Sequence, residues 1–170
     1  MPTIDEFSVH LLPLAQCDVA ELAALINAAF RRHPVMESDR TSPEDLLDEV
    51  GAGEMLLIER DGQLVACAMV QPASAMSEER NSQSDAFYFG LAAVDSAWTG
   101  TGLGKRLVRE SEAIARQRGF KLMTLGTLRE FGLPQFYEKL GYQVIGFADY
   151  EAGHWGVTVP HRHCELEKWL

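Results

Sequence analysis

Between Leu91 and Leu107 an apolar run, Leu91-Ala92-Ala93-Val94, leads through Asp95-Ser96-Ala97-Trp98-Thr99 into Gly100-Thr101-Gly102-Leu103-Gly104-Lys105-Arg106-Leu107. Glycines at alternate positions open what the apolar spacing predicts to be a helix, so a strand passes into a helix through a turn nearly bare of side chains. Strand, turn and helix form the first part of a β-α-β crossover, which commits the chain to a sheet with at least one parallel pair. The same arrangement leaves the unpaired amides of the helix's first turn exposed. Those amides carry partial positive charge, so the segment suits an anion and points to a phosphorylated ligand.

Spacing separates the phosphate-binding turns. A dinucleotide fingerprint counted from Gly100 and Gly102 needs a glycine at position 105, where Lys105 stands. A nucleotide-triphosphate loop built on Gly104-Lys105 needs a glycine at 99 and a Ser or Thr at 106, where Thr99 and Arg106 stand. What remains is G-x-G-x-G opening a helix whose Leu107 and Val108 face inward.

A second segment lies downstream. Leu122-Met123-Thr124-Leu125-Gly126-Thr127 reads as a short strand, and Leu133-Pro134-Gln135-Phe136-Tyr137-Glu138-Lys139-Leu140-Gly141-Tyr142 as a helix closed by a glycine. The two segments, in this order, resemble the pyrophosphate loop and the FYEKLGF signature of the GNAT family of N-acetyltransferases. Thr99 stands where that family usually has Arg or Gln. Arg129-Glu130 replaces the Asn that many members carry, and Leu133 a common Ala. The resemblance runs from a first strand near Phe7–Leu12 to a last near His163–Leu170.

The remaining chain agrees with one α/β domain over residues 1–170. Asp18 is placed to cap a helix bearing Leu22, Leu25, Ile26, Ala29 and Phe30, and Ser42-Pro43-Glu44-Asp45 to start a second, shorter one. Met55–Arg60 and Gln63–Val70 flank Asp61-Gly62 as a hairpin, and Pro72 to Asp85 reads as a surface loop. Phe87 to Val94 is apolar on both faces, as in a strand covered on both sides, and Gly90 within it permits a bulge or a close backbone approach. Val144–Phe147 and His161–Leu170 supply further strands around an irregular Tyr150–Val159 segment. The resemblance implies a three-layer α-β-α fold around a mixed, mostly antiparallel sheet of about six to seven strands.

Composition excludes several classes. Acidic residues number 25 against 15 basic, a net charge of -10, which disfavours nucleic acid. No apolar run approaches the roughly 20 residues needed to cross a bilayer, and Met1-Pro2-Thr3-Ile4-Asp5-Glu6 lacks the basic start of a signal peptide, so no membrane partner and a cytoplasmic location are expected. Cys17, Cys67 and Cys164 are odd in number and far apart, which predicts reduced, buried thiols. His161 and His163 share one side of a strand but Cys164 points the other way, so solvent-facing imidazoles and no metal are expected.

The resemblance implies acetyl-CoA as co-substrate, with its pyrophosphate on Thr99, Gly100, Thr101, Gly102, Leu103, Gly104 and Lys105 and its pantetheine arm beside Ala92, Ala93 and Val94. It implies an acetyl transfer to a primary amine by direct attack on the thioester, with Tyr137 as the general acid for the departing thiolate. Many members carry a carboxylate on the fourth strand as base; none stands between Ala86 and Val94. Glu130 is the candidate taken forward, with Glu37, His154 and His161 placed nearby by the coarse element order. The alternative is a CoA-binding or regulatory domain without turnover. A small-molecule or peptide amine acceptor is expected, its pocket formed by Arg31–Pro43 and Tyr150–Val159, which carry no signature of one amine, and a homodimer stays open.

Overall fold

The computed structural model describes residues 6–76 and 85–170. Local sequence starts the helices as expected. The Asp18 carboxylate accepts from the amides of Ala20 and Glu21, at 3.1 Å each, and opens α1 (Val19–Arg31). Ser42 Oγ accepts from the Asp45 amide at 3.1 Å and, with Pro43 in the first turn, opens α2 (Pro43–Val50). A glycine turn opens α3 (Leu103–Gln117), and Pro134 begins the short α4 (Pro134–Lys139).

The strands are β1 (Ser8–Pro13), β2 (Glu54–Arg60), β3 (Gln63–Pro72), β4 (Phe87–Val94), β5 (Leu122–Leu128), β6 (Gln143–Tyr150) and β7 (His161–Trp169). They form one seven-stranded sheet in the order β1-β2-β3-β4-β5-β7-β6. Every neighbouring pair is antiparallel except β4 with β5, the pair that α3 connects. The hairpin between β2 and β3 turns on Asp61 and Gly62, both at positive φ, as a two-residue loop of this kind requires.

Each face of the sheet buries its own core. On one side α1 and α2 press Leu22, Ile26, Leu46 and Val50 onto Met55, Leu57, Cys67 and Met69. On the other, Leu103, Leu107 and Val108 of α3, with Tyr137 of α4, cover Leu56, Ala68, Phe89 and Leu125. The architecture is therefore the expected three-layer α-β-α, with β4 apolar on both faces. Cys67 and Cys164 are buried and Cys17 half-buried, all three as free thiols, and burial pushes the Cys67 thiol up to about 12.

β4 does not alternate regularly. Phe87 and Phe89 enter the α3 core, yet Leu91 and Ala93 enter the α1 core. The register supplies the reason: Met69 pairs with Gly90 and Cys67 with Ala93, so an extra residue is inserted on β4, and Leu91 sits there at φ +49°. One inserted residue exchanges the two faces for the rest of the strand.

Boundaries differ from expectation in β6, which runs over Gln143–Tyr150 rather than Val144–Phe147, and in two further places. β3 continues to Pro72 and is followed by a 3-10 turn at Ala73–Ala75, so less of the expected loop is irregular; residues 77–84 of that loop lie outside the described residues. The expected helix over 133–142 spans only Pro134–Lys139. The Tyr142 amide returns to the Tyr137 carbonyl and the Gly141 amide to that of Glu138, with Gly141 at φ +97°, a six-to-one closure that stops the helix early.

Candidate active site

β4 and β5 pair only from Phe87 opposite Met123 to Phe89 opposite Leu125. Beyond that the bulge at Leu91 turns β4 aside, and the strands splay into a wedge between Gly90–Val94 and Gly126–Leu128. A cavity of about 430 Å³ occupies it, floored by both strands and closed by the first turn of α3 and by Tyr137. The backbone at the wedge is polar and divided: the Asp95 amide bonds back to the Val65 carbonyl of β3 at 2.8 Å, whereas the Val94 carbonyl accepts from Arg32 Nη1 at 2.9 Å.

At the other end of the cavity Gly102 is the N-cap of α3, at φ +89°, a left-handed conformation that side-chain-bearing residues resist. It offers no capping side chain, so the amides that open the helix face outward from a surface without competing side-chain acceptors. The neighbouring threonines turn away from it. Thr99 Oγ1 donates to the Ser96 carbonyl at 3.1 Å, and Thr101 Oγ1 to that of Trp98. Trp98 is braced from behind, edge-on to Phe7 at 5.3 Å and under the Arg60 guanidinium at 4.7 Å. Lys105 is exposed on the cavity rim; Arg106, which does not line it, lies 3.5 Å from Glu110. Together Ala92, Ala93, Val94, Thr99, Gly100, Gly102, Leu103, Gly104 and Lys105 line one continuous groove.

Tyr137 lines the groove from α4 and is buried, with ring contacts to Phe89 at 6.4 Å and Phe136 at 5.1 Å. Burial, and secondarily the nearby Tyr88, pushes its phenol well above the ordinary tyrosine range. It therefore holds its proton at physiological pH.

Glu130 sits elsewhere. Its carboxylate accepts from Arg129 Nη2 at 2.8 Å and from the Arg162 amide at 3.1 Å, and it is not among the residues that line the cavity. Burial alone would raise its pKa, but the hydrogen bonds from Arg162 and Arg129 outweigh it and hold the carboxyl below its usual value. Glu37, His154 and His161 also lie off the lining.

The expectation of solvent-facing imidazoles at 161 and 163 is corrected. His161 is 2% exposed, its Nδ1 2.9 Å from the Val159 carbonyl and its ring stacked on Tyr150 at 5.8 Å, because the turn at His154–Gly156 folds back over it. His163 is half-buried and lies over Gly126, so close that a β-carbon there would collide with its Nε2.

Two imidazoles line the cavity: His163 on β7, which the sequence points toward solvent, and His33 beyond α1, which it gives no role, stacked on Phe131 at 4.0 Å and 13°. Burial, then the Arg32 charge, lowers the His33 pKa, which favours the neutral ring. The available signal for His163 was Gly126: a glycine inside a strand marks a close approach. Gly90 is a second instance, since a β-carbon there would meet the Tyr88 ring at 2.6 Å.

The model of the acetyltransferase (GNAT) family matches residues 20–142, a span that holds the wedge, the glycine turn and Tyr137. The chain belongs to that family. Among solved structures it is similar to a GNAT family acetyltransferase from Elizabethkingia anophelis with acetyl-CoA bound, at 15% identity and TM-score 0.69, covering 98% of this chain and 99% of that one. It is similar also to a ribosomal-protein-alanine N-acetyltransferase from Brucella melitensis, at 20% identity and TM-score 0.68 over 96% of this chain and 99% of that one. An acyl-CoA N-acyltransferase from Pseudomonas aeruginosa shares 19% identity and TM-score 0.66 over 95% and 99%. A comparison with curated proteins finds no match. Among the described residues no cluster of His, Cys, Asp or Glu is placed to hold a metal ion, and no helix is long and apolar enough to cross a membrane.

Proposed function

We propose that this protein transfers the acetyl group of acetyl-CoA to a primary amine by direct attack on the thioester. The observation that carries the reading is the continuity of one groove: the uncapped amides at Gly102–Lys105 open one end, the splayed strand edge at Ala92–Val94 forms the middle, and the protonated phenol of Tyr137 faces it. Each matches a part of the donor. The amide-rich turn fits a pyrophosphate, because no side chain competes for it and the helix dipole favours negative charge. The strand edge fits the amides of a pantetheine arm, and the wedge admits the thioester.

In the reaction the amine nitrogen bonds to the thioester carbonyl carbon, and the carbon–sulfur bond then breaks. A backbone amide of the bulged segment facing the carbonyl oxygen would stabilise the intermediate by about 3 kcal/mol. Tyr137 gives its proton to the departing thiolate and regains one from solvent. The amine loses one proton, and the cavity imidazoles of His33 and His163 are the groups beside it able to accept; we assign Glu130 instead to holding the start of β7 against the turn after β5. Holding donor and acceptor together supplies much of the remaining acceleration.

The test is release of free thiol from acetyl-CoA in the presence of an amine panel. Tyr137→Phe is expected to lower kcat about 10²- to 10⁴-fold while the Kd for acetyl-CoA stays unchanged. Absence of acetyl-CoA binding, or full activity in Tyr137→Phe, overturns the reading or its acid respectively.

A further inference from the structure

Beyond the wedge the cavity ends in a chamber that the donor groove does not explain. Its walls are rings and a thioether: Phe30 of α1, His33 and Met36 from the connection to α2, Phe131 after β5, and Trp155 and Val157 between β6 and β7. The rings are mutually ordered. His33 lies flat on Phe131, and Phe30 meets that pair edge-on, at 5.7 Å from Phe131 and 6.5 Å from His33. Trp155 stands 5.6 Å from His163, the imidazole over the wedge.

Charge in the chamber is already spoken for. Among the described lining residues the single carboxylate is Glu49, and Arg40 holds both of its oxygens, at 3.0 and 3.3 Å. Arg32 is committed to the Val94 carbonyl. A diamine or polyamine would bring its second ammonium into a chamber with no carboxylate left to meet it. A peptide would bring amides with few partners among rings.

Backbone strain marks the same place. Three described non-glycine residues have positive φ: Asp61, Leu91 and Trp155. Asp61 is required by its hairpin turn. Leu91 and Trp155, at φ +49° and +53°, both line the cavity, one making the bulge and the other aiming an indole at the chamber. Strain at a ligand-lining aromatic is retained where surrounding contacts fix it for a purpose.

We infer that the acceptor is a monoamine carried on a flat apolar body, an aromatic ring on a short chain, seated between Trp155 and the His33–Phe131 stack with its nitrogen toward the wedge. The ring replaces water against aromatic walls, and the lowered pKa of His33 keeps the imidazole beside it uncharged, so that it does not repel the amine. Trp155 is then a specificity-determining residue. The inference rests on the acetyl-transfer reading for the nitrogen's fate but not for the chamber's occupant.

The experiment compares 2-phenylethylamine, propylamine, butane-1,4-diamine and a lysine-containing peptide as acceptors in the wild type and in Trp155→Ala. Expected is a kcat/KM for 2-phenylethylamine about tenfold or more above each of the others, with that preference lost in Trp155→Ala because KM for 2-phenylethylamine rises at least about tenfold more than KM for propylamine. A substitution that merely loosens the fold lowers both amines alike, which overturns the specificity role. A preference for the diamine or the peptide overturns the acceptor class. Should no amine release thiol, the transfer reading fails; calorimetry of 2-phenylethylamine and butane-1,4-diamine with the CoA-saturated protein then decides the class, tighter binding of the aromatic amine supporting it and equal or weaker binding overturning it.

Discussion

The imidazole of His163 on β7 occupies the space that a β-carbon at Gly126 on β5 would need, so a ring from one strand rests on the bare backbone of the next at the edge of the wedge. The atoms in conflict are the far end of a side chain, which can swing, so Gly126→Ala is expected to cost only about 1 kcal/mol of stability. Its effect falls on the site, because the displaced imidazole enters the wedge. Urea unfolding should show Gly126→Ala destabilised and the His163→Ala background relieved of that cost, a non-additivity expected only of residues in contact.

Gly102 and Gly104 are both glycines of the turn that opens α3, but only one is demanded by the fold. Gly102→Val forces a β-branched residue to φ +89°, for which a cost of about 1–2 kcal/mol is expected, together with loss of acetyl-CoA binding. At Gly104 a β-carbon would meet the Phe136 ring at 3.7 Å, an ordinary contact. Gly104→Ala should therefore keep or gain stability, by up to about 1 kcal/mol, so any loss of acetyl-CoA affinity in it reports ligand approach alone. Thermal unfolding with and without acetyl-CoA separates the two.

What the sequence made legible was what neighbouring residues decide. The Asp18 and Ser42 caps, the Asp61-Gly62 turn and the glycines opening α3 are all settled within a few positions, and the structure places them so. The face exchange at Leu91 was not legible, because it arises from the pairing of β4 with Met69 and Cys67 on β3. The chamber is legible only in part: the sequence points to Arg31–Pro43 and Tyr150–Val159, which hold His33 and Trp155, for the acceptor, but the stacking of His33 on Phe131 joins connections far apart in the chain. Glu130 drew notice by standing after a strand, while the Arg162 amide that holds it lies on another strand.

His33 should leave a mark on stability against pH. Its folded-state pKa lies below the ordinary 6.5, so the unfolded chain binds the proton more readily. The stabilisation from keeping this ring neutral is complete above 6.5 and is lost as the pH falls from there toward the folded value. His33→Gln is expected to flatten that part of the unfolding free-energy profile relative to wild type. An unchanged slope between pH 6.5 and 5 would show that the ring does not carry it.

The buried charge that ties the α3 layer to the sheet predicts a larger effect. Glu112 is fully buried on α3, and its Oε1 accepts from Lys168 Nζ of β7 at 2.9 Å and from the Tyr142 hydroxyl at 3.2 Å. Lys168 also donates to the Leu140 carbonyl at 2.8 Å, so one ammonium joins α3, β7 and the end of α4. Arg109 and Arg116 stand farther off, at 3.6 and 3.9 Å from the other carboxylate oxygen, and both are half-exposed to solvent. Lys168→Met leaves the carboxylate buried against those two weaker partners, and a loss of about 3 kcal/mol is expected. Pairing it with Glu112→Gln removes the stranded charge and should recover part of that loss, whereas a purely steric effect of the methionine would leave the double variant no more stable than the single one. The region lies behind Tyr137, whose carbonyl receives the Tyr142 amide, so a loosened α4 should also blur the position of the phenol. Denaturant unfolding of the three variants, read beside kcat, checks both consequences.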